Sequence, residues 1–126
     1  MTDIPGHLPH RHPFLLVDRI LDREPGVRVV AEALLTAGAG TPPSGPLLLE
    51  MLAQTAGFLE AEPLHGRAVF LAGVQEARFE APARPGDRLR LEVAPEGAFG
   101  GLMKVRGTVS CEGRPLCAAA LLVRRP

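Results

Sequence analysis

Glu50 is the single charged residue in the run Pro46–Leu59, PLLLEMLAQTAGFL. Its apolar neighbours call for burial, so this carboxylate is either the solvent stripe of a helix or a placed reactive group. A carboxyl in an apolar pocket has a raised pKa, because a low dielectric disfavours the charged form. Such a group can stay protonated near neutral pH and act as a general acid. Gln54 follows at i+4 and shares its face, and on spacing alone the pair reads as a solvent stripe.

The other candidate groups are weaker. His7, His10 and His12 lie within six residues, but their proline-rich context and lack of a partnered carboxylate argue against a metal site. His65, beside Gly66, reads as a solvated helix-end residue. Thr36, Thr41 and Ser44 fall in a loop of small residues, where a hydroxyl is a poor base and a natural helix cap. Cys111 and Cys117 lack CxxC spacing and a nearby histidine, so small buried hydrophobes are expected rather than ligands. No metal or cofactor is expected.

These groups must be positioned by one domain, since 126 residues are too few for two cores. Hydrophobic residues make up 46% and charged residues 22%, as in ordinary globular chains. Fourteen basic and fourteen acidic residues cancel, giving no electrostatic case for nucleic acid or an anionic membrane. Met1–His12 is polar and broken by proline, unlike a signal peptide, and no apolar window is long enough to span a bilayer. The expected location is the cytoplasm.

Along the chain, His12–Ile20 reads as a short strand or helical turn, Pro25-Gly26 as punctuation, and Val27–Thr36 as a strand. AGAGTPPSG, Ala37–Gly45, is loop by composition. Ser44 or Gly45 can cap a helix with Pro46 at its first position, running to about Ala61 and closed by Pro63 and Gly66. It is apolar nearly all round, which predicts burial on most sides. Strands follow at Ala68–Phe79, with a bulge or close approach at Gly73, then at Arg88–Val93, Leu102–Glu112 and Leu116–Val123. Turns fall at Arg84–Asp87 and Gly97–Gly101. One apolar helix followed by hairpin-linked strands predicts an α+β domain, an antiparallel sheet wrapped around one long central helix. Its open edges predict a homodimer or a higher even oligomer.

Three motifs carry a resemblance. LPHRHPFLLVDRILDREPG (Leu8–Gly26) resembles the opening of the 3-hydroxyacyl-[acyl-carrier-protein] dehydratases of fatty-acid synthesis. LLLEMLAQTAGFLE is similar to their central helix with its E-x-x-A-Q pattern, on Glu50, Ala53 and Gln54. FLAGVQEARFEAPARPGDRLRLEV (Phe70–Val93) matches their third block. The resemblance implies a hotdog fold over residues 1–126 and acyl thioesters of carrier protein or coenzyme A as partners. It implies Glu50 as the catalytic carboxylic acid that protonates the departing 3-hydroxyl. Gly45 becomes the backbone N–H that polarises the thioester carbonyl, because Pro46 has none. Gln54 becomes a hydrogen-bond partner that orients.

One departure is plain. The family's histidine base lies in a G-H-F-P loop before the helix, and AGAGTPPSG stands there, several residues shorter. No histidine occurs between His12 and His65. His10 matches the PHR motif, where its role is structural, and His10 or His12 is the substitute base to consider. Weak dehydratase turnover is therefore expected. The rival readings are an acyl-thioesterase using Glu50 to direct water, and a non-catalytic acyl-binding or partner subunit.

Overall fold

In a computed structural model, the residues described are Ile4, 17–35, 45–61 and 69–125. Six strands form one sheet: β1 (Arg19–Glu24), β2 (Arg28–Leu34), β3 (Phe70–Phe79), β4 (Arg88–Phe99), β5 (Leu102–Cys111) and β6 (Arg114–Arg124). Their order is β1-β2-β4-β5-β6-β3, and every neighbouring pair is antiparallel. One helix, α1 (Gly45–Ala56), runs on into a 3-10 turn (Gly57–Leu59) and touches every strand from β2 to β6. This is the expected sheet around a helix. Among the described residues, no helix is long and apolar enough to cross a membrane.

The alternation read from β4 and β5 holds. Leu89, Leu91 and Val93 face the core, as do Met103, Val105, Val109 and Cys111. Directly paired residues share a sheet face, so the register carries this face onward to Cys117, Ala119, Leu121 and Val123 of β6. The helix fills the curve with Leu48, Met51, Leu52, Ala53 and Ala56.

Several boundaries differ from expectation. β1 occupies RILDRE, which the charge pattern hid: it is an edge strand with only Ile20 and Arg23 partly buried. β4 continues past Val93 to Phe99 through a register shift between Pro95 and Gly97, so the turn shrinks to Gly100-Gly101, with Gly100 at φ 60°. The helix begins at Gly45 rather than Pro46, and its α portion ends at Ala56, not near Ala61. The last turn tightens because partners outside the helix take its carbonyls. Arg23 donates from Nε to Phe58 O (2.8 Å) and from Nη2 to Glu60 O (2.5 Å), while the Gly26 N–H donates to Leu59 O (2.9 Å). The β1–β2 hairpin thus caps the helix, satisfying groups a helix end leaves open.

One expected turn and one expected bulge are present. Arg84-Pro85-Gly86-Asp87 closes with Asp87 N–H to Arg84 O (3.0 Å), and Gly86 takes φ 92°, as a type II turn with proline before glycine requires. This turn exchanges backbone hydrogen bonds with Leu35, fixing where β2 leaves the sheet. The bulge expected near Gly73 appears as a register shift between Leu71 and Gly73.

Candidate functional site

The site is built on the first turns of α1. N–H groups in a first helical turn have no acceptor within the helix, and aligned peptide dipoles make that end electropositive. Pro46 removes one such donor, leaving Gly45 and Leu47. Beside this terminus lies an open cleft of about 520 Å³, between Gly45, Pro46 and Leu48 on one side and the segment Phe79–Ala83 on the other. The Glu80 N–H donates to Leu116 O (2.8 Å), which anchors that second wall to β6.

Glu50 lies one turn beyond Pro46 on the same face, outside the cleft wall itself. Helical side chains lean toward the N-terminus, the end of the helix that borders the cleft. The residue is half-buried. Loss of solvent raises its pKa above the usual carboxylate value. Gln54, at i+4, is 1% exposed, so the solvent-stripe reading of the pair fails at this residue. Thr55 beside it satisfies its hydroxyl on Met51 O (2.8 Å). Gly45, Glu50 and Gln54 are thus brought onto one helix. His10 and His12 lie outside the described residues, as do His7, His65, Thr36, Thr41 and Ser44.

Cys111 and Cys117 are free and buried in the core, as expected, and burial pushes the Cys117 thiol up. Among the described residues, no three His, Cys, Asp or Glu side chains gather as a metal site. Sequence reading missed the part played by Phe79, which packs its ring on Gly45: a Cβ placed there would lie 2.6 Å from Phe79 Cζ. The only signal was the glycine itself at a helix start.

No family model matches the chain. It is 40% identical to the 3-hydroxyacyl-[acyl-carrier-protein] dehydratase FabZ of Roseiflexus sp. (strain RS-1), over 97% of this chain and 93% of that protein. It is 43% identical to the enzyme of the same name from Chloroflexus aggregans (strain MD-66 / DSM 9485), over 97% and 92%. The chain belongs to the 3-hydroxyacyl-[acyl-carrier-protein] dehydratase family. Both alignments run over 133 positions, more than this dehydratase-family chain has residues, so those relatives carry residues that it lacks. Among solved structures, the dehydratase heterocomplex ApeI:P from Xenorhabdus doucetiae superposes with a TM-score of 0.81 at 19% identity, covering 100% of this chain and 92% of that one. A hypothetical thioesterase with coenzyme A from Streptococcus pneumoniae TIGR4 superposes at 0.66 and 13%, covering 86% and 88%. The fold is the hotdog fold.

Proposed function

We propose that this chain binds acyl thioesters at the N-terminus of α1, with the Gly45 N–H on the thioester carbonyl and Glu50 as a protonated acid. The observation that carries this reading is the desolvated Glu50 carboxyl, one turn from an open cleft at a helix N-terminus, in a chain of the dehydratase family. In dehydration, a base removes a proton from C2, the C3–O bond breaks, and Glu50 gives its proton to the leaving hydroxyl, forming water and a C2=C3 double bond. Donors at the helix start stabilise the enolate oxygen that develops meanwhile.

The base is the weak point. With no histidine from residue 13 to residue 64, the group that starts the reaction must come from elsewhere, and losing a positioned base typically costs ~10²–10⁴-fold. Low dehydratase turnover with intact binding follows. The carrier is a pantetheine thioester, on carrier protein or coenzyme A.

The assembly we propose is a homodimer joined along β3, or a higher even oligomer built from it. This ten-residue strand forms one edge of the sheet and is exposed at nearly every position. Val74 and Phe79 pair with Leu121 and Cys117, so they face the helix side of the sheet, yet they stay 45% and 50% exposed. A long open edge with an uncovered apolar face favours pairing with a second copy. Light scattering that finds a monomer at micromolar concentration would contradict this.

Incubation with 3-hydroxybutyryl and crotonyl thioesters, read by mass spectrometry, tests the function. An enoyl or hydrated product that is lost in Glu50→Gln supports the reading. Free acid plus thiol makes the protein a thioesterase, and binding without product makes it an acyl-binding or partner subunit. Turnover as fast as that of a histidine-bearing dehydratase would mean another base, with His10→Ala and His12→Ala the variants that locate it. Failure of any acyl-pantetheine to bind removes the reading.

A further inference from the structure

Phe79 ends β3 on the helix side of the sheet, opposite Cys117. Its ring lies against the backbone of Gly45: a Cβ built on that glycine would sit 2.6 Å from Cζ, 2.9 Å from Cε1 and 3.1 Å from Cε2. Carbon atoms in contact stay about 3.5–4.0 Å apart, so only the missing side chain admits the ring. Half of the residue is exposed, and it forms part of the wall of the cleft of about 520 Å³. Its backbone is held by the β6 ladder and by the Glu80 N–H to Leu116 O bond just beyond it. The ring therefore leaves Gly45 only by rotating its side chain.

We propose that Phe79 is the specificity-determining residue of the acyl site, admitting thioesters unbranched at C2 and excluding those with a C2 methyl group. This rests on the thioester reading above, which places the carbonyl oxygen on the Gly45 N–H. A hydrogen bond of about 2.9 Å from that nitrogen leaves C2 only two bonds beyond the carbonyl oxygen. The ring packed on Gly45 then stands beside the bound carbonyl, where it faces the substituents of C2. A hydrogen at C2 fits there and a methyl group meets the ring. If Phe79 were only packing for the helix start, its truncation would affect all acyl groups alike.

Calorimetric titration of the full chain with crotonyl-coenzyme A and 2-methylcrotonyl-coenzyme A separates the two. The parent should favour the crotonyl ligand ~10–200-fold, the range one methylene commands in an apolar pocket. Phe79→Ala should bring the two within about threefold by gaining affinity for the branched ligand. Phe79→Leu, which keeps more of the packing, should fall between and covers the case in which the alanine variant misfolds. Gly45→Ala should weaken crotonyl binding, and adding Phe79→Ala should restore it, because the new methyl and the ring claim one space. Equal affinities in the parent, or an unchanged ratio in both Phe79 variants, overturn the proposal alone. If the parent binds neither ligand, the thioester reading falls and takes the proposal with it.

Discussion

Gly107 sets how closely α1 lies on the sheet. It sits mid-strand in β5, between Val93 of β4 and Ala119 of β6. A Cβ there would lie 3.1 Å from both Leu52 methyls and 3.2 Å from Val93 Cγ1. With ordinary carbon contacts at about 3.5–4.0 Å, Gly107→Ala forces its neighbours back by several tenths of an ångström. Leu52 and Val93 are both fully buried, and because the two methyls are equally near, rotating one away does not clear the other. Overpacking of this kind costs about 1–3 kcal/mol. Removing a strand glycine returns about 0.5–1 kcal/mol through the unfolded chain. The net expectation is a loss of about 0–2.5 kcal/mol, the difference of those terms.

Leu52→Ala alone should cost about 2–5 kcal/mol, because it opens a cavity beneath the helix. In the double variant the alanine methyl points into that cavity and is left with Val93 Cγ1 alone as a close neighbour. The pair should therefore be less destabilised than the sum of the singles by about 1–2 kcal/mol, the part of the overpacking penalty that comes from Leu52 rather than Val93. Urea unfolding of all four proteins at one fixed concentration measures this, since an assembling chain has a concentration-dependent stability. Additivity within about 0.5 kcal/mol would refute the claim that Gly107 exists to seat Leu52.

Arg23→Met removes two donors from carbonyls at the helix end and should cost about 2–3 kcal/mol, at charged-hydrogen-bond strength. Arg125→Met breaks an exposed pair with Glu60 and should cost under about 1 kcal/mol; urea midpoints that reverse this order would show that the capping role is misassigned. Glu112 takes φ 51° ahead of Gly113 at φ 79° in the β5–β6 turn. Glu112→Asn should therefore raise stability by about 0.5–1 kcal/mol, because asparagine tolerates the left-handed region better, and an unchanged melting temperature counts against it. The raised pKa of Glu50, caused by desolvation, means the folded chain keeps this proton where the unfolded chain has released it. Its contribution to stability falls as pH rises from the usual carboxylate value to the raised one, then stays flat. Glu96, held below the usual range first by its hydrogen bond to Arg106, contributes with the opposite sign. The difference between parent and Glu50→Gln in thermal melts from about pH 4 to pH 8 isolates Glu50, and parallel curves would deny it the shift.

Period-2 alternation made β4 and β5 legible, and the all-round apolar helix foretold its place inside the sheet. The elements that escaped are those whose burial is set by partners distant in the chain. RILDRE becomes a strand because β2 offers it an edge, with Arg19 opposite Glu32 and Glu24 opposite Arg28. Nothing in its own composition says so. The helix looked longer because Gly57–Leu59 is as apolar as what precedes it, and the tightening there comes from Arg23 and Gly26.

At the site, helical spacing was sufficient to put Glu50 and Gln54 on one face but not to say which medium that face meets. An i, i+4 polar pair on an apolar helix reads as a stripe turned to water, because isolated polar residues usually are. Here Gln54 is enclosed and Glu50 is half-enclosed, since the sheet curves around the helix rather than lying flat beneath it. The same curvature brings Phe79, at the far edge of the sheet, onto the first residue of the helix. Spacing within a helix cannot reveal a contact made between its start and a sheet edge. What the sequence did show at that point was Gly45-Pro46: a residue without a side chain followed by one without an N–H. Together they leave a helix terminus that a ring can cover, with the N–H groups of Gly45 and Leu47 as its remaining donors on either side of the proline.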